Sequence, residues 1–339
     1  MSPAFASDIL ASNDSREEAK DVSEKGILKT LIIGSGPAGL TAAIYAARAN
    51  LSPVVLVGET PGGQLTKTSE IENYPGFRKG IQGPQLMEEM MEQARRCGAE
   101  LLFENAESID VKHKPIQIKY GGGQTLQTHT LIFATGAAPR MLGLPGEALY
   151  SAPKGSGVTT CAVCDGSFYR KLPVAVVGGG DSAMEEATYL AKMCSSVTVI
   201  HRREGFRASQ VMQDRARANP VIKWELNQVI DEILGDSKKK IVTGLRLKNV
   251  NTGATKEIEV AGLFLAIGHI PTTKLLKGQV DLDEEGYIKI GEHMQTSAKG
   301  VFAAGDCHDR RYRQAITDAG MGCRAALEVE RYLTEEGLA

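Results

Sequence analysis

Apolar positions in this chain come in short blocks closed by glycine. From Leu28, "LKTLIIGSGPAGLTAAIYAARAN" sets an apolar block before a glycine turn and an alanine-rich stretch after it. That order predicts a buried strand, a tight turn and a helix. A further apolar block, "SPVVLVGE", follows and ends on Glu59. The same order returns from Pro173 in "PVAVVGGGDSAMEEATYLAKMCSSVTVIHRR". Two later blocks, "THTLIFATGAAPR" and "VAGLFLAIGHIP", each read as a strand leaving one of the two repeats. Ahead of them, "IQIKYGGGQTLQTHTLIF" and "IVTGLRLKNVNTGATKEIEVAGLFLAIG" break β-rich runs with polar turns, the pattern of an inserted β-meander.

The pattern predicts an α/β chain of two Rossmann-like, three-layer domains, each with a β-meander. After the second repeat, "KGVFAAGDCHDRRYRQAITDAGMGCRAALEVERYL" reads as a strand, a Gly-Asp turn and a long amphipathic helix. It is too short to bury a core of its own, so it is expected to complete the first domain. The predicted division is 27–140 with 270–339 for one domain and 141–269 for the inserted one. The crossings fall near Met141 and His269. Residues 1–26 carry six acidic and three basic residues and no apolar block. They match neither a secretory signal nor an acid-poor transit peptide and are expected to be a disordered tail.

The glycine turns carry the first chemistry. Gly34, Gly36 and Gly39 form G-x-G-x-x-G between a strand and a helix, the context in which that motif holds a dinucleotide. Gly34 permits the turn, Gly36 lets a pyrophosphate approach the backbone, and Gly39 lets helix and strand pack closely. The second copy uses Gly178, Gly180 and Ala183. Its following strand ends in "HRREGFRAS", with His201, Arg202, Arg203 and Arg207 where an acid would select a ribose 2′-hydroxyl. Arginines there accommodate a 2′-phosphate, so this repeat is expected to take NADPH over NADH. Two such repeats in one chain point to a flavin and a nicotinamide nucleotide in separate domains.

Composition narrows the classes. A net charge of −2 leaves no basic footprint for nucleic acid. No apolar run approaches the roughly 18 residues of a membrane span. Of the six cysteines, Cys97, Cys194, Cys307 and Cys323 are scattered and read as small buried hydrophobes. Cys161 and Cys164 alone form a local pair, in "CAVCDG". That spacing serves metal clips, structural disulfides and redox dithiols alike. A metal set needs about four ligands, and no second pair completes one, so no metal is expected.

"GSGPAG", "GGQLTKTSEIENYPG", "ATGA", "CAVCDG", "GGGDSAMEEA", "HRREGFRAS" and "GVFAAGD…RQAI" occur in this order. With that set the chain resembles the low-molecular-weight thioredoxin reductases of bacteria, fungi and plants, over nearly everything from Lys29 to Leu333. The wording "CAVCDG" looks more like the fungal and plant members. The resemblance implies FAD on the first repeat, with Ser35, Pro37 and Ala38 at its phosphates and Gly63, Gln64, Asn73 and Ala106 in its environment. It implies Asp306 at the ribityl chain and Arg313, Gln314 and Ala315 at the flavin ring. Asp181 and Ser182 join the NADPH contacts. In the family Cys161 is the sulfur that attacks the thioredoxin disulfide, Cys164 the flavin-proximal one, and Asp165 the acid–base group.

The implied activity is that of a thioredoxin-disulfide reductase, with electrons passing from NADPH to FAD, to Cys161–Cys164, and on to thioredoxin. C-x-x-C suits it, because exchange needs an attacking thiolate and a nearby resolving thiol. Dithiol and nicotinamide must take turns at one flavin, which implies rotation of one domain about the two crossings. The family also implies a cytoplasmic homodimer, and import of a longer-tailed form into mitochondria is compatible with the tail. The alternative is a related flavin disulfide reductase or dithiol oxidase acting on another small dithiol protein or substrate. Retention of Arg202, Arg203 and Arg207 weighs against the oxygen-using oxidases.

Overall fold

The computed structural model describes residues 26–68, 70–151 and 155–338, so the tail expected over 1–26 lies outside the described residues apart from Gly26. The chain divides into two compact units. One runs through Lys67 and takes in Pro84–Ala137 and the chain from Pro271 on; the other comprises Thr68–Gly83 and Ala138–Ile270.

In the first unit, strand Ile27–Ile33 lies parallel to Val54–Leu56 on one side and to Gln124–Phe133 on the other. Glu100–Leu102 extends the parallel sheet beyond Val54–Leu56. Strand Val301–Ala303 adds in parallel to Gln124–Phe133, so the C-terminal end of the chain completes this sheet. Ala106–Asp110, Ile116–Tyr120 and the start of Gln124–Phe133 run antiparallel, forming the meander. Leu31, Ile33, Leu131, Phe133 and Val301 are buried in one cluster. Each such side chain contributes about 1.5–3 kcal/mol when fully buried, which fixes the register of the strands that carry it.

Helix Pro37–Arg48 starts on the glycine turn with Pro at its first position, where a missing N–H costs nothing. It buries Leu40, Ala42, Ala43 and Ala46 and packs against helix Ala315–Glu335. The approach is close because a Cβ at Gly322 would stand 2.0 Å from the Ala38 carbonyl oxygen.

The second unit holds a five-stranded parallel sheet in the order Val158–Thr159, Gly262–Leu265, Pro173–Val177, Ser196–His201, Ile222–Leu226. Helix Asp181–Leu190 covers one face with Ala183, Met184, Ala187 and Leu190, all buried with Val174, Val176 and Phe264. Gln228–Asp236, Ile241–Asn249 and Thr255–Glu259 form its antiparallel meander. Leu245 and Leu247 of that meander are buried with Ala175 and Leu263 on the other face. The chain passes between units along Ala137–Pro139 and His269–Pro271, which pair as a two-stranded sheet.

Both units have the α/β, Rossmann-like build that the alternating pattern predicts. One segment departs from the sequence reading. Thr68–Gly83 groups with the second unit instead of the first. It is a short antiparallel excursion, Glu70–Ile71 against Ile81–Gln82, with a polar tip that adds no strand to either parallel sheet.

Candidate active site

Each glycine of the first turn has its own physical reason. Gly34 has φ +111°, and a Cβ there would stand 2.3 Å from the Ala134 carbonyl oxygen. A Cβ on Gly39 would stand 1.9 Å from the Gly34 carbonyl oxygen, so helix and turn meet backbone to backbone. Above Gly36 there is open space, and no side chain caps the helix that begins there. The unsatisfied amides of that helix start favour an anion. Ser35 braces the turn: its hydroxyl donates to Val57 O at 2.8 Å and accepts from Gly62 N at 3.0 Å. The same brace brings Gly63 to the turn, where its Cβ would lie 3.5 Å from Gly36 Cα.

Beside this turn the C-terminal segment supplies charge. A Cβ on Gly305 would meet Ala38 Cβ at 2.9 Å and Asp318 Cγ at 3.3 Å. Asp306 and Asp318 are hydrogen-bonded to each other, and Oδ1 of each is buried without a hydrogen-bond partner among the described residues. Burial pushes the Asp306 carboxyl up; burial and then the Asp306 charge push Asp318 up further. The pair therefore holds a proton at neutral pH. Arg313, at φ +48°, donates from Nη2 to Arg310 O at 2.6 Å. Gln314 is the N-cap residue of the last helix and Ala315 its first residue. An open cradle at a helix start, with orphaned buried acceptors beside it, fits a dinucleotide carrying hydroxyl donors.

Gln64 sits in the short 3-10 helix Gly63–Lys67 next to the turn. Two other residues are assigned to this cofactor by the resemblance. Ala106 packs against the apolar cluster of the meander. Asn73 is exposed in the Thr68–Gly83 segment, outside the unit that carries the turn.

The second turn repeats the arrangement with different neighbours. A Cβ on Gly178 would stand 2.3 Å from the Ala266 carbonyl oxygen, while Gly180 faces open space. Ala183 is buried, and Ser182 lies beside it in the first turn of the helix. The middle glycine, Gly179, was not part of the sequence fingerprint. A Cβ there would stand 2.2 Å from the His201 ring, which is stacked on Phe206 at 5.0 Å. Burial, then the Arg202, Arg203 and Arg207 charges, hold the His201 imidazole below its ordinary value. The loop carrying those arginines folds back on the turn: Arg207 N and Ala208 N donate to Gly179 O at 2.8 and 3.1 Å. All three arginines are exposed and make no ion pair among the described residues. That arrangement suits a doubly charged phosphate.

Cys161 and Cys164 form a disulfide with Cα atoms 5.3 Å apart. Cys161 caps the single turn Ala162–Asp165, its sulfur accepting from Cys164 N at 3.1 Å. Both sulfur-bearing residues are half-buried, and Val163 between them is exposed. The Asp165 carboxylate accepts from the Thr159 hydroxyl, which in turn accepts from Cys161 N at 3.2 Å. Thr159 was not singled out in the sequence; its signal is a hydroxyl two residues before the first cysteine. Of the other cysteines, Cys194 and Cys307 are buried, with thiols pushed up to about 11 and about 12, first by burial. Cys97 and Cys323 are only half-buried, on helix surfaces, contrary to the reading as core positions. Among the described residues no group of His, Cys, Asp or Glu is placed to hold a metal.

Two dinucleotide-type turns, one beside a redox-competent C-x-x-C disulfide with an adjacent carboxylate, define a nucleotide-dependent dithiol oxidoreductase. The comparisons agree. The family model described as pyridine nucleotide-disulphide oxidoreductase matches residues 28–322. Thioredoxin reductase of Mycolicibacterium smegmatis is 53% identical over 307 residues, 90% of this chain and 96% of that protein. Thioredoxin reductase of Rickettsia typhi is 48% identical over 309 residues, 91% of this chain and 98% of that protein. Among solved structures, thioredoxin reductase from Giardia duodenalis has a TM-score of 0.86 at 45% identity, covering 91% of this chain and all of that one, 100%. The chain belongs to the thioredoxin reductase family of pyridine nucleotide-disulphide oxidoreductases. The curated relatives reported are bacterial, so they give no support to a fungal or plant placement from "CAVCDG".

Proposed function

We infer that the chain reduces the disulfide of thioredoxin at the expense of NADPH, through FAD on the first unit and the Cys161–Cys164 pair on the second. The observation that carries this reading is the disulfide itself, half-buried in the unit whose glycine turn bears the arginine loop. FAD bound there would supply the two-electron chemistry that links NADPH to the disulfide. The chain's own residues do the rest. Gly36 and the amides following it hold the pyrophosphate, and the Asp306–Asp318 pair offers acceptors to cofactor hydroxyls. Arg202, Arg203 and Arg207 hold the 2′-phosphate of NADPH.

Once the pair is reduced, the Cys161 thiolate attacks one sulfur of the thioredoxin disulfide. The S–S bond of thioredoxin breaks, a mixed disulfide forms, and the departing sulfur takes a proton. Cys164 then attacks Cys161 Sγ, re-forming the Cys161–Cys164 bond and releasing the second thioredoxin sulfur. Asp165, held by the Thr159 hydroxyl, is the group that gives and receives those protons. Rotation about the paired crossings Ala137–Pro139 and His269–Pro271 is the motion by which dithiol and nicotinamide take turns.

A homodimer is supported by an exposed apolar stripe on the first unit. Ile316 and Leu327 lie along helix Ala315–Glu335 with Cys323, whose thiol is hydrogen-bonded to exposed Tyr45 of helix Pro37–Arg48. A cytoplasmic setting rests on the chemistry of a NADPH-fed dithiol; among the described residues no helix is long and apolar enough to cross a membrane.

The test is a coupled assay on the purified yellow protein. NADPH oxidation should require oxidised thioredoxin, and Cys161→Ser should abolish it while flavin content is retained. Full turnover by Cys161→Ser would sink the dithiol route.

A further inference from the structure

Asp181 opens the helix after the second glycine turn, where a side chain ordinarily either caps its own helix or faces the bound phosphate. It does neither. Gly180 occupies the cap position without any side-chain bond to the helix. Asp181 Oδ1 instead accepts two hydrogen bonds from across the turn, from Ser209 N at 2.8 Å and from the Ser209 hydroxyl at 3.0 Å. A carboxylate placed on the nucleotide phosphates would repel them, whereas here its charge is spent on a neutral loop residue.

Ser209 ends the loop that begins with Arg202, so the two ends of that loop are tied down differently. The strand Ser196–His201 anchors one end by its ladder to Pro173–Val177. The other end is buried at Ala208, and four hydrogen bonds tie it to the turn: Arg207 N and Ala208 N to Gly179 O, and the two from Ser209 to Asp181. All four converge on residues 179–181 of the glycine turn. A loop less firmly tied to the turn would have to be ordered further when the phosphate binds, at a cost in conformational entropy.

We propose that Asp181 and Ser209 form a latch that sets preference for the 2′-phosphorylated coenzyme, Asp181 acting as a positioning residue for the arginine loop and not as a nucleotide contact. The proposal rests on the NADPH reading given above. The latch pre-orders the backbone from which Arg202, Arg203 and Arg207 project, so their charges meet the 2′-phosphate without a prior ordering step. A coenzyme lacking that phosphate does not use the loop. Loss of the latch therefore removes discrimination and leaves the glycine turn in place.

The experiment titrates the oxidised holoenzyme calorimetrically with adenosine 2′,5′-bisphosphate and, separately, with 5′-AMP. Wild type, Ser209→Ala, Asp181→Ala, Asp181→Asn and the Asp181→Ala/Ser209→Ala double variant are compared by the ratio of the two affinities. Asp181→Ala should lower the ratio about tenfold, the effect of losing hydrogen bonds to a charged acceptor. Ser209→Ala, which keeps its backbone N–H, should lower it less, and the double variant no further than Asp181→Ala, since both changes cut one interaction. Asp181→Asn retains an acceptor oxygen and should keep most of the ratio.

Equal weakening of both ligands by Asp181→Ala, an unchanged ratio, or additive losses in the double variant would each overturn the latch while leaving NADPH use intact. A wild-type ratio near one would overturn the coenzyme reading itself, and with it the proposal.

Discussion

The Thr159 hydroxyl donates its proton to the Asp165 carboxylate and accepts the Cys161 amide proton at 3.2 Å, so one side chain ties Asp165 to the backbone of Cys161. Asp165 is thereby aimed by a strand residue, not by its own short turn. Replacing the hydroxyl by a methyl removes this hydrogen bond from the carboxylate and leaves the Cys161 amide without its acceptor.

Thr159→Val should accordingly slow thioredoxin reduction about tenfold, the worth of one charge-assisted hydrogen bond. Thr159→Ser should restore it. Stopped-flow oxidation of the reduced enzyme by thioredoxin, with flavin content measured alongside, decides the matter. Equal rates in the Val variant and wild type would remove Thr159 from the site.

The Asp306–Asp318 pair makes stability depend on pH. Asp318, pushed up to about 9 first by burial, keeps its proton in the folded state where the unfolded chain has lost it. The folded state then binds more protons, and its stability falls as pH rises from the ordinary aspartate range of about 4 towards that raised value. Arg313, Asp309, Tyr287 and Cys307 are the other charged or titratable groups in electrostatic contact with the pair. Asp318→Asn keeps a neutral partner for Asp306 at every pH. Between pH 5.5 and 8.5 its melting temperature should gain on that of wild-type holoenzyme by about 3 °C or more. Parallel curves for the two proteins would count against the shared proton.

Gly322 is where the first and last helices of the first unit touch. A Cβ there would stand 2.0 Å from the Ala38 carbonyl oxygen, a backbone atom that cannot yield without moving the glycine-turn helix. Gly322→Ala should cost about 3 kcal/mol or more and lower the flavin content of purified protein. Denaturant titration and the absorbance ratio of flavin to protein measure both effects.

Gly179→Ala tests the second turn. The added carbon would meet the His201 ring at 2.2 Å and push it from its stack on Phe206. The KM for NADPH should rise about tenfold or more, with flavin content unchanged, because FAD binds on the other unit. A loss of flavin with an unaltered KM would contradict this placement.

What was legible in the sequence was local. Gly34, Gly39 and Gly178 could be read because their spacing between a strand and a helix is a local pattern, although the atoms that crowd Gly34 and Gly178 belong to the distant Ala134 and Ala266. The closeness of Cys161 and Cys164 was legible from three residues of separation, and the structure joins them as a disulfide. The residues that escaped reading have partners set by folding: Asp318 meets Asp306 through the packing of the last helix, and Ser209 meets Asp181 across 28 positions. Polar side chains such as these carry no periodic signature, so their use is invisible until the chain closes.

By itself, then, the sequence determined that two strand–glycine–helix units would form, that the second would be followed by an arginine cluster, and that one cysteine pair would stand apart from the rest. Apolar blocks of strand length and glycines at turn positions leave few alternatives, because burial and backbone crowding act over a few residues. Only the tertiary structure decided that Val301–Ala303 lies beside Gln124–Phe133, that Asp318 comes to lie against Asp306 beside the first turn, and that Asp181 bonds Ser209. Those outcomes depend on desolvation and on hydrogen bonds between distant segments, which exist only once the core has brought them together.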